Sequence, residues 1–234
     1  MILKQLINSR GTMLFIGISF LLVSSCNSNK ENVAHQDIQV VSIPDTSTIN
    51  VNYISNRKPL KPSVLIKLPV GAIKPENWLQ ETLKRQANGL MGNLGEISAW
   101  LQEKDNAWLA ENGIGSWGWE EVPYWLKGYG NTAYILEDEA MLKESRKWIE
   151  AAIASQRPDG NFGPKRIGED GTQDFWANMI MLYCLQSYYE YAKDERVIDL
   201  MSNYFKYQLN VSDDQFLSKS HYWQRVRGGD NLYS

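Results

Sequence analysis

Gly113–Tyr129, GIGSWGWEEVPYWLKGY, is the stretch on which the reading of this chain turns. It holds three tryptophans, two tyrosines and two adjacent glutamates, and it begins as a loop and ends as a helix. Proline has no N–H and fits a helix only in the first turn, so Pro123 places the helix start near residues 119–123. From there Val122, Trp125, Leu126, Tyr129, Ala133 and Leu136 follow helical spacing. Gly113-x-Gly115-x-x-Gly118 within it matches a dinucleotide-binding fingerprint, with Asp138 twenty residues on. That mechanism needs a hydrophobic strand ahead of the glycines and a βαβ unit around them. Asp105–Asn112 supplies no such strand, and two indoles and two carboxylates would meet the pyrophosphate, so nucleotide binding is set aside.

Working outward, the chain is helical almost throughout. Tyr124–Leu136, Glu139–Gln156, Phe175–Tyr191 and Glu195–Leu209 carry helical patterns, and Arg157-Pro158-Asp159-Gly160 has turn chemistry. Phe175–Tyr191 is apolar on most faces, whereas Glu195–Leu209 is one-sided. Pro75–Trp78 opens a helix with Trp78, Leu79, Leu83, Ala87 and Leu90 near one face. Gly89, Gly92 and Gly95 break that pattern, and Glu96–Leu101 reads as a short helix. Residues 51–74, with Pro59, Pro62 and Pro69, read as short edge strands or extended chain. Asp213–Gln224 fits no single pattern.

A shift of 56 residues lays the chain on itself. Leu136-Glu137-Asp138-Glu139 falls on Ala192-Lys193-Asp194-Glu195, Trp148-Ile149 on Tyr204-Phe205, and Gly118 on Asp174 and then Asp230. Each unit is a loop, a buried helix, an acidic turn and an amphipathic helix, the pattern of stacked helical hairpins. A closed ring with inner and outer helix layers, an all-α (α/α)6 six-hairpin toroid, explains why one helix is apolar all round and the next is one-sided. Residues 75–234 hold fewer than three such units, so the expectation is an N-terminal fragment of the ring.

The N-terminus reads as an address. Lys4 and Arg10 precede an apolar run, Met13–Val23, too short to span a bilayer comfortably. Val23-Ser24-Ser25-Cys26 then has the form of a bacterial lipoprotein box, in which Cys26 is acylated; ordinary secretion with an incidental cysteine is the alternative. Residues 27–50 are polar and aperiodic, a flexible tether. The expected location is the cell envelope, on a membrane surface by lipid anchor rather than by a spanning helix. The resulting division is 1–26 signal peptide, 27–50 tether, 51–74 lead-in and 75–234 partial toroid.

Composition bounds the chemistry. A net charge of -3 without a long basic run argues against nucleic acid. Two cysteines and two histidines are too few for a zinc site made wholly by this chain, and they imply no disulfide framework. Nine tryptophans and twelve tyrosines serve first as core. Beyond core, aromatic faces stack on the C–H surfaces of sugars, and carboxylates and amides bond sugar hydroxyls. The repeat puts Trp117, Trp119, Glu120, Glu121 and Tyr124, then Asp174 and Trp176, then Asp230 and Asn231, at equivalent loop-to-helix junctions. In a toroid these junctions share one rim, the candidate saccharide site, with His221, Trp223 and Arg225 beside it. Plainer roles compete: Glu120 and Glu121 as first-turn acids, Asp174 as an N-cap, His221 as a surface histidine. Adjacent glutamates point about 100° apart on a helix, so at most one of the pair faces the centre.

Four motifs then resemble one family in order. Leu68–Leu79 is similar to the opening of the catalytic domain of β-L-arabinofuranosidase-like proteins, glycoside hydrolase family 127 and its relatives. Pro123–Gly128 resembles their inner helix, Gln156–Pro164 their hairpin turn, and Arg227–Asn231 a later inner-helix start. The resemblance implies an (α/α)6 barrel followed by β-domains, acting on plant glycans from their non-reducing ends. It further implies a zinc-held cysteine nucleophile and a glutamate acid/base, both lying beyond this chain. Cys184 matches none of these groups, and Gln173-Asp174 and Gly229-Asp230 stand where the family places histidines. No catalytic residue is therefore carried over, and zinc belongs to the family's full length. Three readings follow: a surface-anchored glycoside hydrolase, a carbohydrate-binding lipoprotein without catalysis, and a uronyl hydrolase using Arg225 and Arg227. Further hairpins past Ser234 would favour the first, and a stop codon there the second.

Overall fold

The computed structural model describes residues 52–168, 170–216 and 222–234. Among them all regular structure is helical, and no strand forms. In order the helices are α1 (Asn77–Asn88), α2 (Leu90–Ile97), α3 (Glu121–Leu136), α4 (Glu139–Ala154), α5 (Trp176–Ala192), α6 (Glu195–Leu209), α7 (Tyr222–Val226) and α8 (Gly228–Tyr233), with one 3-10 turn at Ala99–Leu101. None is long and apolar enough to cross a membrane.

Two helical hairpins, α3–α4 and α5–α6, carry the fold, and the 56-residue offset between them holds in three dimensions. Each hairpin turns through two residues. Glu137 and Lys193 adopt left-handed backbone, φ 54° and 55°, and Asp138 and Asp194 then cap the following helix. The Asp138 carboxylate accepts the Met141 N–H at 2.9 Å, and that of Asp194 accepts the Arg196 N–H at 3.1 Å. An aspartate at each cap satisfies an otherwise orphaned donor, which fixes where α4 and α6 begin.

The two layers differ as their patterns require. α5 is buried on nearly every face, from Trp176 through Met181 to Leu185, whereas α6 buries only Val197, Leu200 and Tyr204. α3 packs against both α5 and α4, and α5 against α6, so α3 and α5 form the inner pair. Phe162, fully buried after the Arg157–Gly160 turn, packs edge-on against Tyr204 with ring centroids 4.9 Å apart.

One sequence expectation is corrected, at Gly92, Gly95 and Glu96–Leu101, and for residues 52–74 the extended-chain alternative is the one that holds. Residues 52–74 pair as no strand. Their prolines lack N–H groups, and the segment is tied instead to α5, where the buried Glu190 carboxylate takes the Tyr53 hydroxyl, the Lys67 ammonium (2.8 Å) and the Val70 N–H (2.6 Å). Only Gly89 separates α1 from α2; Gly92 and Gly95 lie within α2, and Glu96–Leu101 is split between its end and the 3-10 turn. α1 buries no residue fully, and Trp78 is 76% exposed. Cys26, the tether 27–50 and His221 lie outside the described residues.

Candidate functional site

A cavity of about 390 Å³ opens at the N-terminal ends of α3 and α5, lined by Trp119, Glu120, Tyr124, Arg166, Trp176, Trp223 and Arg227. Its walls are seated from behind. Trp108, 1% exposed, donates its indole N–H to the Trp119 carbonyl at 2.9 Å. Gly118 precedes Trp119 with φ +81°, and a Cβ there would lie 2.3 Å from the Asn106 side chain, so this turn requires glycine. The glycines of the dinucleotide-like motif thus serve loop packing, Gly113 against Gly163 and Lys165, and Gly115 and Gly118 against Asp105–Ala107, with no strand ahead of them.

Two junctions 56 residues apart meet directly. The Trp176 indole N–H donates to Glu120 Oε2 at 2.7 Å. Tyr124 stands near edge-on to Trp176, ring centroids 6.0 Å apart. Burial, reinforced by the Glu120 carboxylate, pushes the Tyr124 phenol above its ordinary pKa. Asp174 is fully buried behind this wall: one carboxylate oxygen takes the Trp176 backbone N–H at 3.0 Å, the other the Trp223 indole N–H at 3.1 Å. It therefore acts as a strut that fixes two lining indoles, not as a lining group itself. Gln224 adds a second tie from α7, its side-chain oxygen accepting the Phe175 N–H at 2.9 Å.

Of the residues singled out from sequence, Trp119, Glu120, Tyr124, Trp176 and Trp223 line this cavity. The others go elsewhere. Trp117 packs edge-on against Trp100, centroids 5.2 Å apart, and its backbone pairs with Asp105 and Ala107. Glu121, one position round the helix from Glu120, leaves the cavity, and one of its oxygens is buried without a partner. Arg225 is exposed away from the site. α8 starts at Gly228, so Asp230 and Asn231 fall inside its first turn rather than in the loop before it. Asp230 accepts the Tyr183 hydroxyl at 2.9 Å, and Asn231 exchanges amide hydrogen bonds with Gln208.

Arg166 escaped the sequence reading, and Arg227 entered it only as part of a motif and beside Arg225. The Arg166 guanidinium lies 3.9 Å over the Trp119 ring and that of Arg227 5.4 Å from the Trp176 ring. No periodic signal marks Arg166. It sits in an irregular loop returned to the site by the Asp174 N–H donating to the Arg166 carbonyl at 2.8 Å.

The residues present do not fit a zinc-thiolate centre. Among the described residues no three His, Cys, Asp or Glu side chains gather to hold a metal ion. The Cys184 thiol is buried in α5, donates to the Pro123 carbonyl at 3.4 Å, and is pushed up to about 12 by burial. What the cavity offers is aromatic surface, one carboxylate and two guanidiniums in a volume suited to a small ligand.

Compared with known proteins, residues 46–232 match the family model described as Beta-L-arabinofuranosidase, GH127 catalytic domain. No curated protein and no solved structure matches the chain. The family match spans most of the sequence and takes in α1 to α7 and all but the last residue of α8, so the chain belongs to the glycoside hydrolase family 127 catalytic-domain family.

Proposed function

We propose that this protein is a surface-anchored glycoside hydrolase of plant-type polysaccharides, β-L-arabinofuranosidase-like, whose cavity at the α3 and α5 N-termini seats one sugar unit. In this reading α3–α4 and α5–α6 are successive hairpins of an (α/α)6 toroid. The catalytic groups come from segments C-terminal to this chain, and Cys26 carries the lipid anchor. Family membership supports a carbohydrate substrate. The observation that carries the site is the Trp176–Glu120 hydrogen bond, which joins two repeat-equivalent junctions into one aromatic wall with an acceptor at its centre. Trp119, Tyr124, Trp176 and Trp223 supply stacking faces, and the remaining Glu120 oxygen accepts from a sugar hydroxyl. A binder without catalysis is the second reading. It is favoured by Glu120 being the one carboxylate among the described lining residues, where glycoside hydrolysis commonly uses two.

The test is to incubate the full-length protein, including the segments C-terminal to this chain, with arabinan, arabinogalactan and pectic oligosaccharides, following sugar release by chromatography and binding by calorimetry. Release with binding lost in Trp119→Ala supports the hydrolase reading, and binding without release supports the second. Binding that survives Trp119→Ala and Trp223→Ala together refutes the site.

A further inference from the structure

We propose that the sugar unit seated in this cavity carries a carboxylate, gripped by Arg166 and Arg227. The proposal rests on the carbohydrate reading above and makes the unit seated in this cavity an acidic residue of the glycan, distinct from a neutral arabinofuranosyl unit. Both guanidiniums line the cavity, and each lies over a different indole, Arg166 over Trp119 at 3.9 Å and Arg227 over Trp176 at 5.4 Å. A guanidinium held over an aromatic face keeps its N–H edge for a planar acceptor, and carboxylate is the acceptor whose geometry matches that edge.

Two other arginines are held by protein groups. Arg196 is clamped between Asp194 (2.6 Å) and Glu150 (2.7 Å), and Arg157 donates to the Gly163 carbonyl at 2.9 Å. Among the described residues neither Arg166 nor Arg227 forms an ion pair. The nearby acids are committed. Glu120 takes the Trp176 indole N–H, Asp174 is buried beneath Trp176 and Trp223, and Asp230 accepts from Tyr183. The lining therefore carries two positive charges against one negative. A neutral sugar leaves this net positive charge uncompensated. A carboxylated one balances it, with its hydroxyl edge turned to Glu120 and its carboxylate turned away from it.

The test titrates the full chain with digalacturonic acid, its carboxyl-reduced counterpart galactobiose, and arabinobiose, by calorimetry and tryptophan fluorescence. The expected result is digalacturonic acid binding about tenfold or more tighter than galactobiose, with the preference shrinking as salt is added. Arg166→Gln and Arg227→Gln each weaken digalacturonic acid several-fold more than galactobiose, with unchanged circular dichroism confirming the fold. Equal affinity for the acidic and the reduced disaccharide, or a preference that survives both substitutions, overturns the acidic-substrate proposal while leaving the sugar site standing. If none of the three binds, the carbohydrate reading of the cavity falls and this proposal falls with it.

Discussion

Gly163→Ala tests the seating of the cavity's rear wall. Gly163 has φ +68°, and an added Cβ would lie 2.6 Å from Cζ3 and 2.7 Å from Cη2 of Trp108. Trp108 is 1% exposed and its indole N–H holds the Trp119 carbonyl, so it can yield only by moving a lining residue. Left-handed backbone costs an alanine about 1–2 kcal/mol, and forcing a methyl into a packed core costs about 1–3 kcal/mol. The sum is a destabilisation of about 2–5 kcal/mol. Gly171→Ala isolates the backbone part, because Gly171 has φ +76° with no atom within 4 Å of its added Cβ; about 1–2 kcal/mol is expected there. Gly128→Ala, in the exposed interior of α3 and equally uncrowded, should instead stabilise by about 0.5–1 kcal/mol. Guanidinium unfolding followed by tryptophan fluorescence and circular dichroism measures all three. If Gly163→Ala costs no more than Gly171→Ala, Trp108 is not packed where described, and the account of how Trp119 is positioned fails.

Asp174→Asn puts an amide where two carboxylate oxygens receive two N–H groups, so one donor faces another; the expected loss is about 1.5–3 kcal/mol, with a changed near-ultraviolet spectrum as Trp223 loses its anchor. Glu190→Gln should cost about 1.5–3 kcal/mol and speed proteolysis of residues 52–70, since it removes the charge that faces Lys67 and turns one of the two oxygens shared by Tyr53, Lys67 and Val70 into a donor. Lys67→Met should cost less, because that ammonium is 37% exposed. Stability should fall as pH rises: burial holds the Cys184 thiol up at about 12 and raises the Tyr134 and Tyr204 phenols. The native state then binds more protons than the unfolded chain, so the contribution is full below the unfolded thiol pKa and is lost from there toward 12. In a Cys26→Ser background, Cys184 should react with a thiol reagent only at the rate of unfolding; rapid native-state labelling would contradict its burial.

The hairpins were legible because their signals are local and repeated. An aspartate opens each outer helix, and burial all round α5 against one-sided burial of α6 is written in the apolar spacing. α1 was legible as a helix, but Trp78 and Leu79 in it and Leu90 at the start of α2 are exposed, because spacing cannot say what a face meets. Of the residues lining the cavity, Glu120 and Trp176 were marked by repeat and composition together, and Trp223 by composition beside His221 alone. Asn231 was misplaced because a fixed offset assumes equal unit boundaries, and α8 starts early. Arg166 had no signal, since its position comes from a loop folded by backbone hydrogen bonds that no sequence period encodes.

The anchoring of residues 52–74 on Glu190 has a bearing on orientation. Glu190 and Lys193, which holds the Asn52 side chain at 2.5 Å, stand at one pole of α5, and Trp176 stands at the other. Fourteen residues of helix put about 20 Å between them. The polypeptide thus joins the helical body on the side remote from the aromatic mouth. Residues 52–70 and the aromatic cavity therefore occupy opposite ends of the same helix, so what is bound at one leaves the other unobstructed.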